Sequence, residues 1–401
     1  MDRTTVSRRL VFHVGGYDPI APQSGAYRRF VREITRFELT WSAKALIDAL
    51  HDGVDETKWR VITSGPNWHV ETNFHFIRWD DVIEEFSRRR IWQRIPQGLI
   101  AFLDFATAGA LLGYLRTNWY YAIFFLYPFV MFGLLIATAY FVGIHALHAN
   151  ETISAVITIY SVLAALVVGF WRWLHLDSLF DDWIFSRAYV RRRNPIIEQR
   201  LHKIAQEIVA AARGSDADEL LVVGHSLGAV IAVDLLDRAL KLDPSLGKNE
   251  TPVTFLSIGS SILKIGLHRG AERFRAAVEH VAQAPGIFWG DYQARIDIMN
   301  FYNTNPMTEM SLSAEHEPVV RLVEFSRMLQ RDVYRRIRLR FYRLHCQFVS
   351  GNDKRASYDY FMLVCGPVSA KYQTLASDGV LSMIGENGTL ATSPCGTALP
   401  T

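Results

Sequence analysis

The sequence of 401 residues contains only three cysteines. Cys346, Cys365 and Cys395 match neither a zinc-ligand spacing nor a disulfide framework, and they read as free thiols of a reducing compartment. There is no H-E-x-x-H, no C-x-x-C and no paired-histidine cluster to hold a metal, and no G-x-x-x-x-G-K-[ST] loop to cradle a phosphate. No cofactor and no metal are therefore expected. The net charge is only +3, and the densest basic runs flank apolar segments, so no nucleic-acid partner is expected. Met1-Asp2-Arg3 opens the chain without the apolar core of a secretory signal. No internal repeat is visible.

One absence is local. From Thr117 to Asn150 there is no Asp, Glu, Lys or Arg. Its core, Ala122 to Ile144, would be about 34 Å long as a helix, enough to cross a bilayer. A second uncharged run extends from Thr152 to Trp171, after a short linker, His145 to Glu151, that lacks Lys and Arg. Trp119, Tyr120 and Tyr121 at one end, and Trp171 and Trp173 at another, sit where interfacial aromatic belts belong. The expectation is a transmembrane helical hairpin with spans at about 120–144 and 152–173 and the lipid bilayer as a partner. The run Gly98 to Leu115 is weaker. It carries Asp104, and a carboxylate at the bilayer centre costs roughly 2.5–3.5 kcal/mol, so the stretch 98–115 reads as an interfacial or protein-packed helix. An even number of spans is also what one domain built from both flanks requires. Arg88-Arg89-Arg90, Arg94 and Arg116 precede the first span, and Arg172, Arg187 and Arg191-Arg192-Arg193 follow the second. By the positive-inside rule both flanks are cytoplasmic.

What surrounds the hairpin alternates between strand and helix patterns. Leu10 to Val14 reads as a strand ending at Gly15-Gly16. Tyr27, Phe30, Val31, Ile34, Phe37 and Trp41 follow a helical period. Trp59 to Thr63 and Asn73 to Ile77 are strand-like. After the hairpin come an amphipathic helix through Ile197, Leu201, Ile204 and Ile208, a buried strand Glu219 to Val223, and a helix Ala229 to Leu240. Further strands are expected at Thr254 to Ile258 and Ile287 to Ala294, a helix at Glu317 to Arg335, and a strand within Ile337 to Val349. This alternation predicts an α/β fold with a mostly parallel sheet and helices on both faces. The expected organisation is 1–97 and 176–376 as the two parts of one domain, 98–175 as the membrane insertion, and 377–401, rich in Gly, Ser and Thr, as a loosely ordered tail.

Gly224-His225-Ser226-Leu227-Gly228 fits G-x-S-x-G. It follows an apolar strand directly and opens a helix directly, which is the setting of a nucleophile elbow. Such a turn holds the serine in a strained backbone geometry and projects its hydroxyl into a cleft, and the helix N-terminus sets amides beside a developing oxyanion. These five residues resemble the elbow of lipase- and esterase-like members of the α/β-hydrolase superfamily.

The resemblance implies a triad in the order serine, acid, histidine, with Ser226 as nucleophile. It implies an acid just past a late strand. Asp297 stands there, with Asp291 as the runner-up. Only His316 and His345 follow Asp297, and His345 is the preferred base because it ends a strand-like stretch that can reach a sheet-end loop. His225, at the variable position of the elbow, reads as packing. For the oxyanion hole, the resemblance implies the amide of Leu227 and one from an early loop, where His13-Val14-Gly15-Gly16-Tyr17 offers Gly16 or Tyr17. The implied activity is a membrane-anchored serine hydrolase acting on a lipid or acyl ester. An acyltransferase or thioesterase with the same triad, and an inactive scaffold that keeps the fold, are the alternatives.

Overall fold

The computed structural model describes residues 4–17, 25–79, 81–82, 88–147, 152–170, 174–191, 195–248, 251–313 and 315–391. The chain forms two compact units, one of Met1–Asp80 with Asn194–Thr401 and one of Asp81–Arg193.

The first unit is an α/β unit around an eight-stranded sheet. Its strands are β1 (Arg8–Val14), β2 (Lys44–Asp52), β3 (Glu56–Ser64), β4 (His69–Ile77), β5 (Glu219–His225), β6 (Val253–Ile258), β7 (Ile287–Gln293) and β8 (Val319–Leu322), in the order β2-β3-β4-β1-β5-β6-β7-β8. β2 pairs with β3 and β3 with β4 in antiparallel fashion, and every pairing from β4 through β1 to β8 is parallel. Parallel strands covered on both faces read as continuous apolar runs. β5 and β6 do so and are buried throughout. The register aligns Val14 with Gly224 and His225 with Ile258. The C-terminal ends of β1, β5 and β6 therefore lie side by side, the edge where parallel sheets bind ligands.

Helix Ala26–Trp41 buries Phe30, Ile34, Phe37 and Trp41, spaced three and four residues apart, against a core that includes Trp59, Phe74 and Phe361. At the opposite end of the central strands, buried Arg9 donates from Nε to Glu219 (3.0 Å) and from its terminal nitrogens to Gly366 O and Val368 O. One guanidinium thus ties β1, β5 and the C-terminal segment together.

The second unit holds helices Ile91–Thr107, Ala110–Thr117, Trp119–Leu147, Thr152–Phe170 and Leu176–Arg191. Among the described residues one helix, over Trp119–Phe141, is long and apolar enough to cross a membrane. The first two helices meet at a 66° bend, where Gly109 adopts a φ of 84°. Asp104 accepts from Arg191 (2.6 Å) and pairs with Arg187 (3.2 Å). Arg94 donates to Asp181 at 2.7 Å in a buried contact.

Four expectations need correction. The insertion is wider than 98–175, because helices 91–107 and 176–191 are bound to each other by these ion pairs and belong to the second unit. Glu317–Arg335 is not one helix: it begins with β8, then breaks into Phe325–Met328 and Arg331–Ile337. Ile337–Val349 contains no strand but the helical turns Phe341–His345 and Cys346–Val349. Residues 377–391 are packed rather than loose, since Val380, Met383 and Ile384 enter the main core and Ile384 bridges Leu390. Residues 392–401, with Cys395, lie outside the described residues.

Candidate active site

Ser226 joins β5 to helix Gly228–Leu242 and has a φ of 56°. A serine in the left-handed region is strained and persists only where its surroundings over-determine it. Here they do. Its N–H donates to Ile258 O (3.0 Å), and its carbonyl accepts from Ala229 N and Ser261 N (both 3.1 Å). The flanking glycines are sterically required: a Cβ on Gly224 would sit 2.4 Å from Ala229 Cα, and one on Gly228 would sit 2.2 Å from Val14 O. The elbow is thus wedged between its own helix and the end of β1.

The same wedge brings the loop after β1 onto the serine. A Cβ on Gly16 would lie 2.6 Å from Ser226 Cβ and 3.2 Å from its Oγ. Trp79 Nε1 donates to Gly15 O at 2.7 Å and steadies this loop. Leu227 caps the helix, and no acceptor among the described residues is bonded to its N–H. Tyr17 lies at the end of the described part of the loop, half-buried.

His345 ends the helical turn Phe341–His345 and is almost fully buried. Its Nδ1 lies 2.6 Å from Asp297 Oδ2. A carboxylate accepts, so this contact puts the proton on Nδ1 and leaves the Nε2 lone pair free. Nε2 is buried and without a hydrogen-bond partner. Asp297 is itself held: its Oδ1 accepts from Met299 N (3.0 Å), and Asn300 clamps the 294–297 turn through Ala294 N and O. His345 Cε1 comes within 3.1 Å of a Cβ placed on Gly259, the residue after the carbonyl that binds Ser226 N. Serine, histidine and aspartate therefore converge on the turn that follows β6. Ser226 Oγ and His345 Nε2 are not hydrogen-bonded to each other in this structure.

His225 lies against His345 with ring centroids 4.7 Å apart and planes tilted by 31°, and its Nε2 lies 3.3 Å from His345 O. A carbonyl only accepts, so His225 carries its proton on Nε2. Burial first, then neighbouring His345 and His13, holds it neutral by pushing its pKa well below the usual range. Of the two runners-up, Asp291 lies on β7, buried and bonded to Ser257 and Gln293 rather than to a histidine, with its pKa pushed up to about 6 by burial. His316 is exposed in the bend before β8.

A cleft of about 830 Å³ opens beside these groups, with Gly16, Tyr17, His225 and His345 on its wall. Ser226 is packed against Gly16 at its margin. Phe30, Trp59, Phe74 and Phe76 give the cleft an aromatic side. His13, on β1, also lines it, with Nδ1 3.0 Å from Tyr360 OH. Burial, then the Arg29 charge, pulls its pKa down to about 3.

Sequence reasoning missed His13 and Tyr360 as cleft residues, Asn300 as the brace of Asp297, and a set of arginines on the rim. Only the arginines carried a signal: Arg28, Arg32 and Arg36 recur every fourth residue and share one helix face. Away from the cleft, Glu56, His75 and Glu207 come together, but Lys58 Nζ lies 2.6 Å from Glu56 and 3.5 Å from Glu207 and supplies the cation there. Comparison of the chain with protein families, curated proteins and solved structures gives no match.

Proposed function

We propose that this chain is a membrane-anchored serine hydrolase of the α/β-hydrolase type, cleaving a lipid or acyl ester with Ser226, His345 and Asp297. The observation that carries the reading is the left-handed Ser226, held between β5 and its helix by hydrogen bonds on both sides. The His345–Asp297 contact around the same turn supports it.

In this reading Ser226 Oγ attacks the acyl carbonyl and passes its proton to His345 Nε2. Asp297 fixes the tautomer and stabilises the imidazolium. The amides of Leu227 and of the Gly16–Tyr17 loop receive the oxyanion, with each donor worth roughly 3–4 kcal/mol in the transition state. Collapse breaks the ester C–O bond, and the leaving alkoxide takes the proton from Nε2. Water then repeats the sequence on the acyl-enzyme and releases the acid. With a thiol or a second alcohol as the group exchanged, the same steps describe a thioesterase or an acyltransferase.

The membrane reading rests on helix Trp119–Phe141 and on the sheet. β1 pairs with β5, so the segments before and after the second unit lie on one side of any bilayer, and crossings come in even number. A hairpin of Trp119–Leu147 and Thr152–Phe170 meets that condition, with the arginine-rich flanks setting the sheet on the cytoplasmic side.

Labelling with a fluorophosphonate probe tests the chemistry. The expected outcome is covalent labelling of the wild type and none of Ser226→Ala. The missing Ser226–His345 hydrogen bond favours one rival, an inactive scaffold. Equal, absent labelling of both proteins would establish it.

A further inference from the structure

The cleft beside the elbow has two chemically distinct sides. One is the aromatic wall already described. The other is cationic: Arg28, Arg29, Arg32 and Arg36 from helix Ala26–Trp41 and Arg343 from the turn that ends in His345. Among the described residues a single carboxylate, Glu33, stands on that wall against these five guanidinium groups. Glu33 is buried and bridges Arg32 Nε (2.9 Å) and Arg36 Nη1 (3.6 Å), which orients both. Arg28 and Arg343 are exposed and have no acidic partner among the described residues. The positive field reaches the cleft interior, where the Arg29 charge helps to hold His13 neutral.

We propose that the cleft takes acyl esters whose alcohol portion bears a phosphate, with the acyl chain along the aromatic wall and the phosphate in the arginine collar. The phosphate follows from the collar alone. Guanidinium groups match its geometry in pairs, and five at a cleft mouth, of which Arg28 and Arg343 have no acidic partner among the described residues, attract an anion that a neutral ester lacks. The ester follows from the serine hydrolase reading of Ser226, on which this part rests. Arg343 links the two sites, because it lies two residues before the proposed base.

The test uses the full chain in nanodiscs of neutral lipid, with two substrates of equal acyl length, 1-octanoylglycerol and 1-octanoylglycerol 3-phosphate. The expected result is a kcat/KM for the phosphate ester at least about ten-fold above that for the neutral one. In Arg28→Gln/Arg343→Gln that ratio should fall about ten-fold, and Arg28→Lys/Arg343→Lys should retain most of it. Equal use of both esters by the wild type, or a ratio that ignores the Gln variant, overturns the proposal and leaves the hydrolase reading standing. Binding of dodecyl phosphate to Ser226→Ala, measured by titration calorimetry, reads the collar without catalysis. Binding that weakens about ten-fold with the two Gln substitutions supports the collar even if neither ester is cleaved, and that combination removes the hydrolase reading alone. Absence of binding overturns the collar. Comparing a phosphate ester presented as a dissolved monomer with a long-chain one held in vesicles separates a soluble substrate from a lipid headgroup: the collar admits both, and the faster arm identifies the source.

Discussion

Asp297 and Asp291 belong to the same strand-and-loop passage, yet their surroundings differ. Asp297 faces an imidazole and a backbone amide. Asp291 faces a serine hydroxyl and a glutamine amide in the interior of the sheet. Asp297→Asn places an amide NH₂ or a weaker acceptor against Nδ1 and frees the imidazole to take the wrong tautomer. Ester turnover should drop by about 10³–10⁴ in kcat with little change in KM, whereas Asp291→Asn should keep kcat within a few-fold. Equal losses in steady-state kinetics would remove the distinction between the two carboxylates, and a larger loss at Asp291 would reverse the assignment. Asp291 has its own signature. Its pKa is raised from 3.8 to about 6 in the folded state, so the native protein binds more protons than the unfolded chain between those values, and this group's stabilisation is lost as pH rises from about 4 to about 6. The stability difference between wild type and Asp291→Asn should therefore shift in favour of the variant by up to about 3 kcal/mol across that range, a value set by the size of the shift. Denaturant melts at pH 4 and pH 7 check it. A pH-independent difference would mean that Asp291 is ionised throughout.

The central elements were legible in the sequence where burial leaves no choice. β5 and β6 are largely apolar runs bounded by turns, β7 opens on one at Ile287 to Trp289, and the glycines of the elbow fall where a Cβ cannot fit. Legibility failed at the sheet edges. β2, Lys44–Asp52, is an edge strand whose Leu46 and Leu50 face solvent, so its pattern lacks the alternation that burial of one face imposes. The segment before His345 failed for the opposite reason. Arg338-Leu339-Arg340 alternates like a strand, but Leu339 is 85% exposed and the turn is set by Leu344 and Phe348 entering the core. Asp297 and His345 were singled out through chain order and resemblance, not through the elements that carry them. An element-scale prediction follows from the wedge between helix Gly228–Leu242 and the end of β1. Gly228→Ala drives a methyl into Val14 O and Gly15 O, both backbone atoms that cannot rotate away. It should cost on the order of 3 kcal/mol or more by overpacking and remove probe labelling, measured by thermal melting beside gel fluorescence. A variant that melts like wild type and still labels would mean the loop after β1 moves freely.

At the scale of the whole molecule the informative fact is a pairing between distant segments. Residues 9–14 share backbone hydrogen bonds with residues 219–224, and a bilayer cannot pass between two strands of one sheet. If Trp119–Phe141 crosses a bilayer, as proposed, a return crossing must come from another helix of the second unit. Two candidates exist. Thr152–Phe170 would rise about 28 Å at helical pitch. The bent pair Ile91–Thr107 and Ala110–Thr117 is apolar enough but is broken by 66° and carries Asp104, whose partners Arg187 and Arg191 bring two more charges with it. Burying three charged groups costs more than burying none, so the proposed hairpin returns through Thr152–Phe170, and Asn150 in its linker is expected to be reached from outside. The measurement is labelling of intact cells with a membrane-impermeant maleimide. Asn150→Cys should react from outside, while Thr117→Cys, at the end of the bent pair, and the half-buried native thiol of Cys346 should react only after the membrane is opened. Reaction of Thr117→Cys in intact cells, with Asn150→Cys silent, would assign the second crossing to the bent pair instead. The even count demanded by β1 and β5 survives either result, and only its second member changes.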